Sequence, residues 1–534
     1  MNAMNSPLHT FGPWSKARAL VLIPAIVISA TPGYAYDLLS DPFNVMEEVP
    51  ATPAKNTLSS IGNSCQFNGP LPSPLTLVDA VERALCNHPQ TRQVWANVKA
   101  QAAAVGTGWS AYLPTLNGTG RFNSVDRRSD FPGHPEYSTH VNSRNTDLAL
   151  NLNWVLYDFG LRAANLESAR QLLNAANATH DDTLQTVFLD TAKAFYEAQS
   201  AQALLVANKE AEQAAEKSFK AADAKYAAGA GALADMLQAE TSYAQATLKR
   251  VQSEGELQNA IGSLASVMGL RPNAAIQLTG IIDETAAEPL FQQVVDDLIE
   301  QAVHNHPKML AAQAQLEAAR ARIDATSAAG LPTLALVASY DHSGASATPI
   351  NNQGSSKQSI DNQEVGLQVS IPLFEGFGRH YKVREAEAQA ENKQAELASA
   401  EQQVSLEVWK SYKAMRTGME NLKTAKTLVQ SAKQSFDVAQ GRYKFGVGNI
   451  IELLKAQSDL ASAEQQRLLA AANWQTSKLR LATSLGQLGL DNIMGGDFDR
   501  SHAPRGNAYL GAPAPRNPPP ERSSTGFPRR SVNR

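Results

Sequence analysis

The chain has 534 residues, with 47 Lys and Arg against 51 Asp and Glu, a balance that excludes a polycation built to coat nucleic acid and leaves room for several domains. Aromatics make up only 7% and there are two cysteines, while much of the apolar content is alanine, which favours closely packed helices over wide globular cores. The 27 prolines leave residues 136 to 271 and 373 to 503 free of any; an internal proline costs a helix about 3 kcal/mol, so two such spans predict very long helices and suggest a duplication.

Residues 1 to 18 hold Lys16 and Arg18 and no acid, and Ala19 to Ala30 form an apolar run too short to span a bilayer as a helix. Gly33 and Ala35 follow at the spacing that a signal peptidase reads, so a cleavable signal is expected over 1–35, cut between Ala35 and Tyr36. No other stretch is apolar enough for a transmembrane helix, and no cysteine follows the run before Cys65, which argues against a lipid-anchored start. An N-terminal extension occupies 36–74. After export, Cys65 and Cys86 can close a disulfide loop worth about 3 kcal/mol, or stay reduced and buried.

The next elements come in duplicate. Asn87-His88-Pro89 recurs as Asn305-His306-Pro307 and Leu113-Pro114-Thr115-Leu116 as Leu331-Pro332-Thr333-Leu334, both 218 residues apart. Farther on the offset is 217: Tyr157-Asp158 matches Phe374-Glu375, Arg162 matches Arg379, and Lys225-Tyr226 with Gly229 and Gly231 matches Arg442-Tyr443 with Gly446 and Gly448. One offset held over so many positions makes the chain two copies of one unit, 75–280 and 281–490.

Each copy reads in the same order. A helix runs from the His-Pro to the Leu-Pro, over 89–112 and 307–330, with proline at its start, where the missing N–H costs nothing. A strand follows, over Leu116–Val125 and Leu334–Tyr340, and then a polar loop, over Asp126–Asn145 and Asp341–Asn362. The second strand alternates through Leu148, Leu150, Leu152, Trp154 and Leu156, and in the other copy through Val365, Leu367, Val369, Ile371 and Leu373. Such alternation suits a barrel facing lipid outside and water inside, although an ordinary half-buried hairpin alternates in the same way. A long helix is predicted from Leu161 to Tyr226, with a seam at Leu184, Phe188, Thr191, Phe195, Ala198, Gln202 and Leu205; at 1.5 Å per residue it is a rod of roughly 100 Å. The chain reverses at Gly229-Ala-Gly231 into a helix ending near Gly269, and the second copy repeats this from Gly378 through Gly446-Val-Gly448 to Gly486.

Four strands cannot close a barrel, since spanning barrels begin at about eight, and open edges are not tolerated in lipid. The chain must therefore assemble. Two copies would fill an eight-stranded barrel with side chains, whereas three leave a lumen of about twelve strands. The fold class expected is mainly α with a small β part: long antiparallel helical hairpins forming a trimeric α-barrel, plus four strands per chain in a 12-stranded transmembrane β-barrel.

This order, the duplicated Asn-His-Pro and Leu-Pro-Thr-Leu, the Leu-Tyr-Asp-Phe-Gly at 156–160 with Leu-Phe-Glu-Gly-Phe-Gly at 373–378, and the run from Arg442 to Gln457 resemble the TolC-like outer membrane factor family over about Leu75 to Leu490. The region from Cys65 to Leu116 is similar to its type I secretion branch. The resemblance implies a homotrimeric outer membrane channel with a long periplasmic extension, docked through a periplasmic adaptor onto an inner-membrane ABC or proton-driven transporter, for protein secretion or efflux. It implies adaptor docking at hairpin tips Gly229, Gly231, Gly446 and Gly448, which also read as simple turns. It places periplasmic entrance and gating groups at Asp235, Tyr443, Glu452 and Lys455, with Glu452 as a ring of three carboxylates. The family often has a second acid where Lys455 stands, so a Glu452/Lys455 pair or mixed ring is expected instead.

No enzyme constellation is present: H-E-x-x-H, a Gly-Lys dipeptide and G-x-S-x-G are all missing from the sequence. No cofactor, metal or nucleic acid is expected, and His304 and His306 read as helix-end residues. The rival reading is a periplasmic adaptor or structural coiled-coil protein, but an adaptor needs a single hairpin between lipoyl-like and barrel domains. From Arg500 onward seven Arg, seven Pro and one Glu mark a tail that cannot build a core, within an expected disordered segment at 491–534.

Overall fold

The computed structural model describes residues 41–53, 65, 71–280, 294–349 and 356–487. The expected signal with its Ala35–Tyr36 cut, and the C-terminal tail, lie outside the described residues. The first half contains α1 (Leu77–Asn87), α2 (Pro89–Ser110), β1 (Thr115–Ser129), β2 (Thr139–Tyr157), α3 (Leu161–Ala227) and α4 (Leu233–Val267). The second contains α5 (Val295–Asn305), α6 (Pro307–Ala328), β3 (Thr333–Pro349), β4 (Ser356–Ser370), α7 (Gly378–Lys444) and α8 (Ile450–Ser484). Corresponding helices match in length, at 11, 22, 67 and 35 residues. Of the seam predicted on α3, all but Gln202 are buried.

Two helices precede the elements that the sequence reading began with. Helix α1 opens with a capping box, in which the Thr76 hydroxyl accepts from the Asp79 N–H and the Asp79 carboxylate accepts from the Thr76 N–H. It buries Leu77, Val81 and Leu85 against Leu184, Phe188 and Phe195 of α3 and Leu264 of α4. Helix α5 does the same with Leu298 and Ala302 against Val404 and Val408 of α7 and Leu481 of α8. Helices of this length are marginal alone, so their stability comes from that packing.

Each Asn-His-Pro is the joint where these short helices meet the next. His88 and His306 cap α2 and α6, their Nδ1 atoms accepting from the N–H groups of Gln90 (3.3 Å) and Lys308 (3.1 Å), with proline in the first turn. Burial holds both imidazoles below the ordinary histidine range, favouring the neutral ring that can accept. The glycines that end α4 and α8 press on these joints: a Cβ on Gly269 would come within 3.0 Å of the Asn87 carbonyl oxygen, and one on Gly486 within 3.0 Å of the His306 Cα.

The strands form one antiparallel sheet in the order β1-β2-β3-β4. Their ladders run farther than the apolar pattern: Ser129 pairs with Thr139 and Ala347 with Ser356, so most of the two expected polar loops is strand. Backbone groups alone make the ladder, and polar residues carry it past the apolar stripe. At its other end β4 stops at Ser370, short of the predicted Leu373, because Pro372 has no N–H to donate. The register sets Leu116 opposite Leu152, Leu152 opposite Ala338 and Ala338 opposite Val365 on one face, with Asn117, Asn151, Ser339 and Glu364 in line on the other. Leu116, Leu150, Val365, Leu367 and Val369 of the apolar face are all exposed.

Helices α3 and α4 make one hairpin and α7 and α8 the other, with α6 between α3 and α7, and α8 lying on α3 as well as α7. Residues ahead of α1 are stitched to α2 and α3: Val45 is buried against Val98 and Leu173, the Trp95 indole N–H donates to the Pro50 carbonyl (2.8 Å), and the His180 Nε2 meets the Pro53 carbonyl (2.8 Å). Cys65 and Cys86 are joined in a disulfide.

Candidate functional site

Both hairpins reverse through the same backbone device. Gly229 and Gly446 stand just past the ends of α3 and α7 with φ of +69° and +76°. The Gly229 N–H donates to Tyr226 O (2.9 Å) and the Ala230 N–H to Lys225 O (2.8 Å); Gly446 and Val447 repeat this to Tyr443 O (3.2 Å) and Arg442 O (3.0 Å). This is the Schellman closure, which satisfies the last carbonyls of a helix and needs a left-handed residue. Gly231 and Gly448 are glycine for another reason: a Cβ there would come within 3.1 Å of the Lys225 Cβ and 3.0 Å of the Arg442 Cβ respectively.

Beyond the turn itself the two tips differ. The Asn449 side chain accepts from the Glu452 N–H (2.7 Å) and caps α8, whereas Ala232, at the equivalent place, leaves α4 without a side-chain cap. The second tip exposes Phe445, Val447 and Ile451; the first exposes Leu233 and Leu237 among alanines. Just above the tips the two hairpins pack together through Ala222, Ala239, Ala439, Ile450 and Leu453. The Gln457 amide donates to Ala211 O (3.3 Å), tying α8 to α3.

The predicted entrance residues gather in this region with partners that the sequence reading did not name. The half-buried Tyr443 ring lies beneath the Lys225 ammonium at 3.9 Å, joining the two tips. Glu452 faces Arg442, with Nε to Oε1 at 3.6 Å, and Lys455 holds Asp459 at 2.7 Å. The expected Glu452/Lys455 pair is therefore not made within the chain. Lys455 reaches one turn along its own helix, and Glu452 reaches back across the turn to α7. Asp235 is exposed in the first turn of α4, where a negative charge meets the helix dipole.

Lys225, Arg442, Asn449 and Asp459 are thus the residues that sequence reasoning passed over. One signal was present: Lys225 and Arg442 are equivalent positions, both basic. What they grip lies across a turn or on the other hairpin, which local spacing does not show. Among the described residues no group of His, Cys, Asp or Glu side chains is placed to hold a metal. No helix among them is long and apolar enough to cross a membrane.

With this geometry in hand, likeness to known proteins is extensive. The sequence pattern of the outer membrane efflux protein family matches residues 80–270 and 298–487, one stretch in each copy. The chain is 32% identical to protein CyaE of Bordetella pertussis, over 79% of this chain and 86% of that one. It is 23% identical to outer membrane protein TolC of Escherichia coli, over 81% of this chain and 87% of that one. Its fold superposes on the outer-membrane channel OprN with a TM-score of 0.64 at 22% identity, covering 82% of this chain and 96% of that one. With both copies matched and both tips formed, the chain belongs to the outer membrane efflux protein family and is an outer membrane channel of the kind that serves type I secretion and efflux.

Proposed function

We propose that three copies of this chain close into one conduit, with their sheets forming a lipid-facing barrel and their hairpins a periplasmic tube. One observation carries this reading: a four-stranded sheet whose outward face is apolar and exposed and whose edge strands β1 and β4 have, among the described residues, no partner on one side. Unpaired edges and a bare apolar face are tolerable in lipid only when other copies complete the barrel. The tips around Gly229, Gly231, Gly446 and Gly448 then point together into the periplasm and dock onto an adaptor, which links them to an inner-membrane transporter of the ABC or proton-driven type. Asp235, Tyr443, Glu452 and Lys455 line the entrance. Transport energy comes from the transporter.

Fractionation tests the assembly. The mature protein is expected in the outer membrane as a detergent-stable trimer that dissociates only on heating; recovery as a soluble periplasmic monomer would sink the proposal. Docking is tested by replacing Val447 with a photo-cross-linking residue, which should capture the adaptor in cells, while the same residue at Leu248, on the shaft of α4, should not.

A further inference from the structure

The outward face of the sheet carries a charge pattern that lipid tails do not explain. Moving from β1 to β4, the last apolar residue on this face is Phe122, Leu148, Tyr340 and Val365; beyond them come Ser124, Thr146, His342 and Gln363. Thr146 is opposite Phe122, His342 opposite Leu148 and Gln363 opposite Tyr340, so the edge of the apolar band recedes by one two-residue step per strand. A stagger of this kind becomes level when the strands tilt in a closed barrel. Beyond the edge, on the same face, Arg128, Arg144 and Lys357 are exposed, and among the described residues none of the three has an ion pair or hydrogen bond through its side chain.

Two acids on the strands of this zone are already engaged. The Asp126 carboxylate meets the His140 ring, and Asp361 meets the His342 ring (2.7 Å) and accepts from the Tyr340 hydroxyl (3.2 Å). The inward face is different, with Arg121 directly opposite Asp147 and with Asp341 and Glu364 nearby on β3 and β4. The opposite edge of the band, where the strands pass into the rods, is aromatic rather than basic: Tyr157, Phe159, Phe374 and Phe377 are all exposed there. Phe159 and Phe377 hold φ of +52° and +63°, a conformation that a bulky side chain rarely adopts. The band therefore has an aromatic edge towards the rods and a basic edge away from them. At 3.4 Å per residue and a tilt near 40°, the Cα atoms of Arg144, Arg128 and Lys357 stand roughly 10, 16 and 21 Å beyond the apolar edge of their own strands, so Arg144 lies at the head-group boundary and the other two reach back towards it from farther out.

We propose that Arg128, Arg144 and Lys357 form a docking surface for the phosphate groups of a phosphorylated glycolipid in the outer leaflet. The surface rests on the barrel reading, which sets the rods on the periplasmic side and this edge on the outer one. Arginine offers a fork of donors to phosphate and lysine a mobile point charge, and a flanking apolar band seats the acyl chains. Threefold closure would repeat the set around the barrel.

The full-length trimer, purified in detergent, would be titrated by native mass spectrometry with bis-phosphorylated lipid A and with its dephosphorylated form. The wild type should prefer the phosphorylated lipid. The triple variant R128A/R144A/K357A should bind it roughly a hundredfold more weakly and lose the preference. The inward-facing variant R121A/R127A should behave as wild type, and D126N should bind more tightly because an acid leaves the patch. Should the triple variant not yield trimer, R144Q and K357Q singly are each expected to weaken binding about fivefold. A wild-type trimer that binds both lipids equally or neither, or variants that keep the preference, would overturn the proposal. Failure of the barrel reading shows separately, as wild-type protein that forms no trimer at all.

Discussion

The two hairpins have the same helix lengths and turns, yet they are placed differently. Helix α8 buries 16 of its 35 residues, among them Leu453, Trp474 and Leu481, whereas α4 buries only Ala239, Ser253, Leu264 and Ala265. The reason is position: α8 lies in the groove between α7 and α3, while α4 packs chiefly on α3 and leaves Leu237, Leu248 and Val251 exposed. Equal backbones thus end in different surroundings, one return helix in the chain's own core and the other with an exposed apolar face.

The largest test of that contrast is a pair of truncations. Trp474→Ala opens a cavity in a core position and should cost about 3–5 kcal/mol, read as loss of folded protein by thermal unfolding. Leu248→Ala on α4 should cost the isolated chain less than about 0.5 kcal/mol, yet lower the dissociation temperature of the trimer. Equal effects of the two on chain folding would erase the distinction. Because the Trp474 indole nitrogen is buried without a hydrogen-bond partner among the described residues, Trp474→Phe should be much milder than the alanine change.

The turns come next. Gly446→Val forces a branched side chain into left-handed backbone at a cost of about 1–2 kcal/mol confined to the tip, so trimers should still reach the membrane while export fails. Unchanged export would count against docking at the second tip. Smaller again, Asn449→Ala removes a cap worth about 1 kcal/mol and should raise amide exchange in the first turn of α8, while Ala232→Asn should lower it in α4. If neither moves, the tips do not differ in local stability. The smallest change in stability belongs to Arg442→Gln. The Arg442–Glu452 pair is exposed and contributes under about 1 kcal/mol, but its loss frees Glu452 and should raise single-channel conductance; unaltered conductance would remove this pair from the entrance.

Much of this architecture was legible residue by residue. Proline-free spans marked the rods because a proline inside either would break it, and Gly229, Gly269, Gly446 and Gly486 marked their ends because a closing turn needs positive φ. Helices α1 and α5 escaped notice because eleven residues hold a helix only when a core receives their apolar face, and that core comes from residues on α3 and α7 far along the chain. The ends of the strands escaped because alternation reports burial or lipid, not the ladder, and the ladder continues through polar Asn142 and Gln358. Near the tips, Tyr443, Glu452 and Lys455 were visible as chemistry, but their partners were not.

Sequence alone determined the duplication, the order of elements and the turns, since each depends on local backbone preference or on periodicity within one segment. Tertiary structure decided which return helix is buried, that Glu452 faces Arg442 rather than Lys455, and that Lys225 covers Tyr443 from the other hairpin. Those outcomes depend on how one rod lies against another, and two copies of one pattern cannot both occupy the same groove.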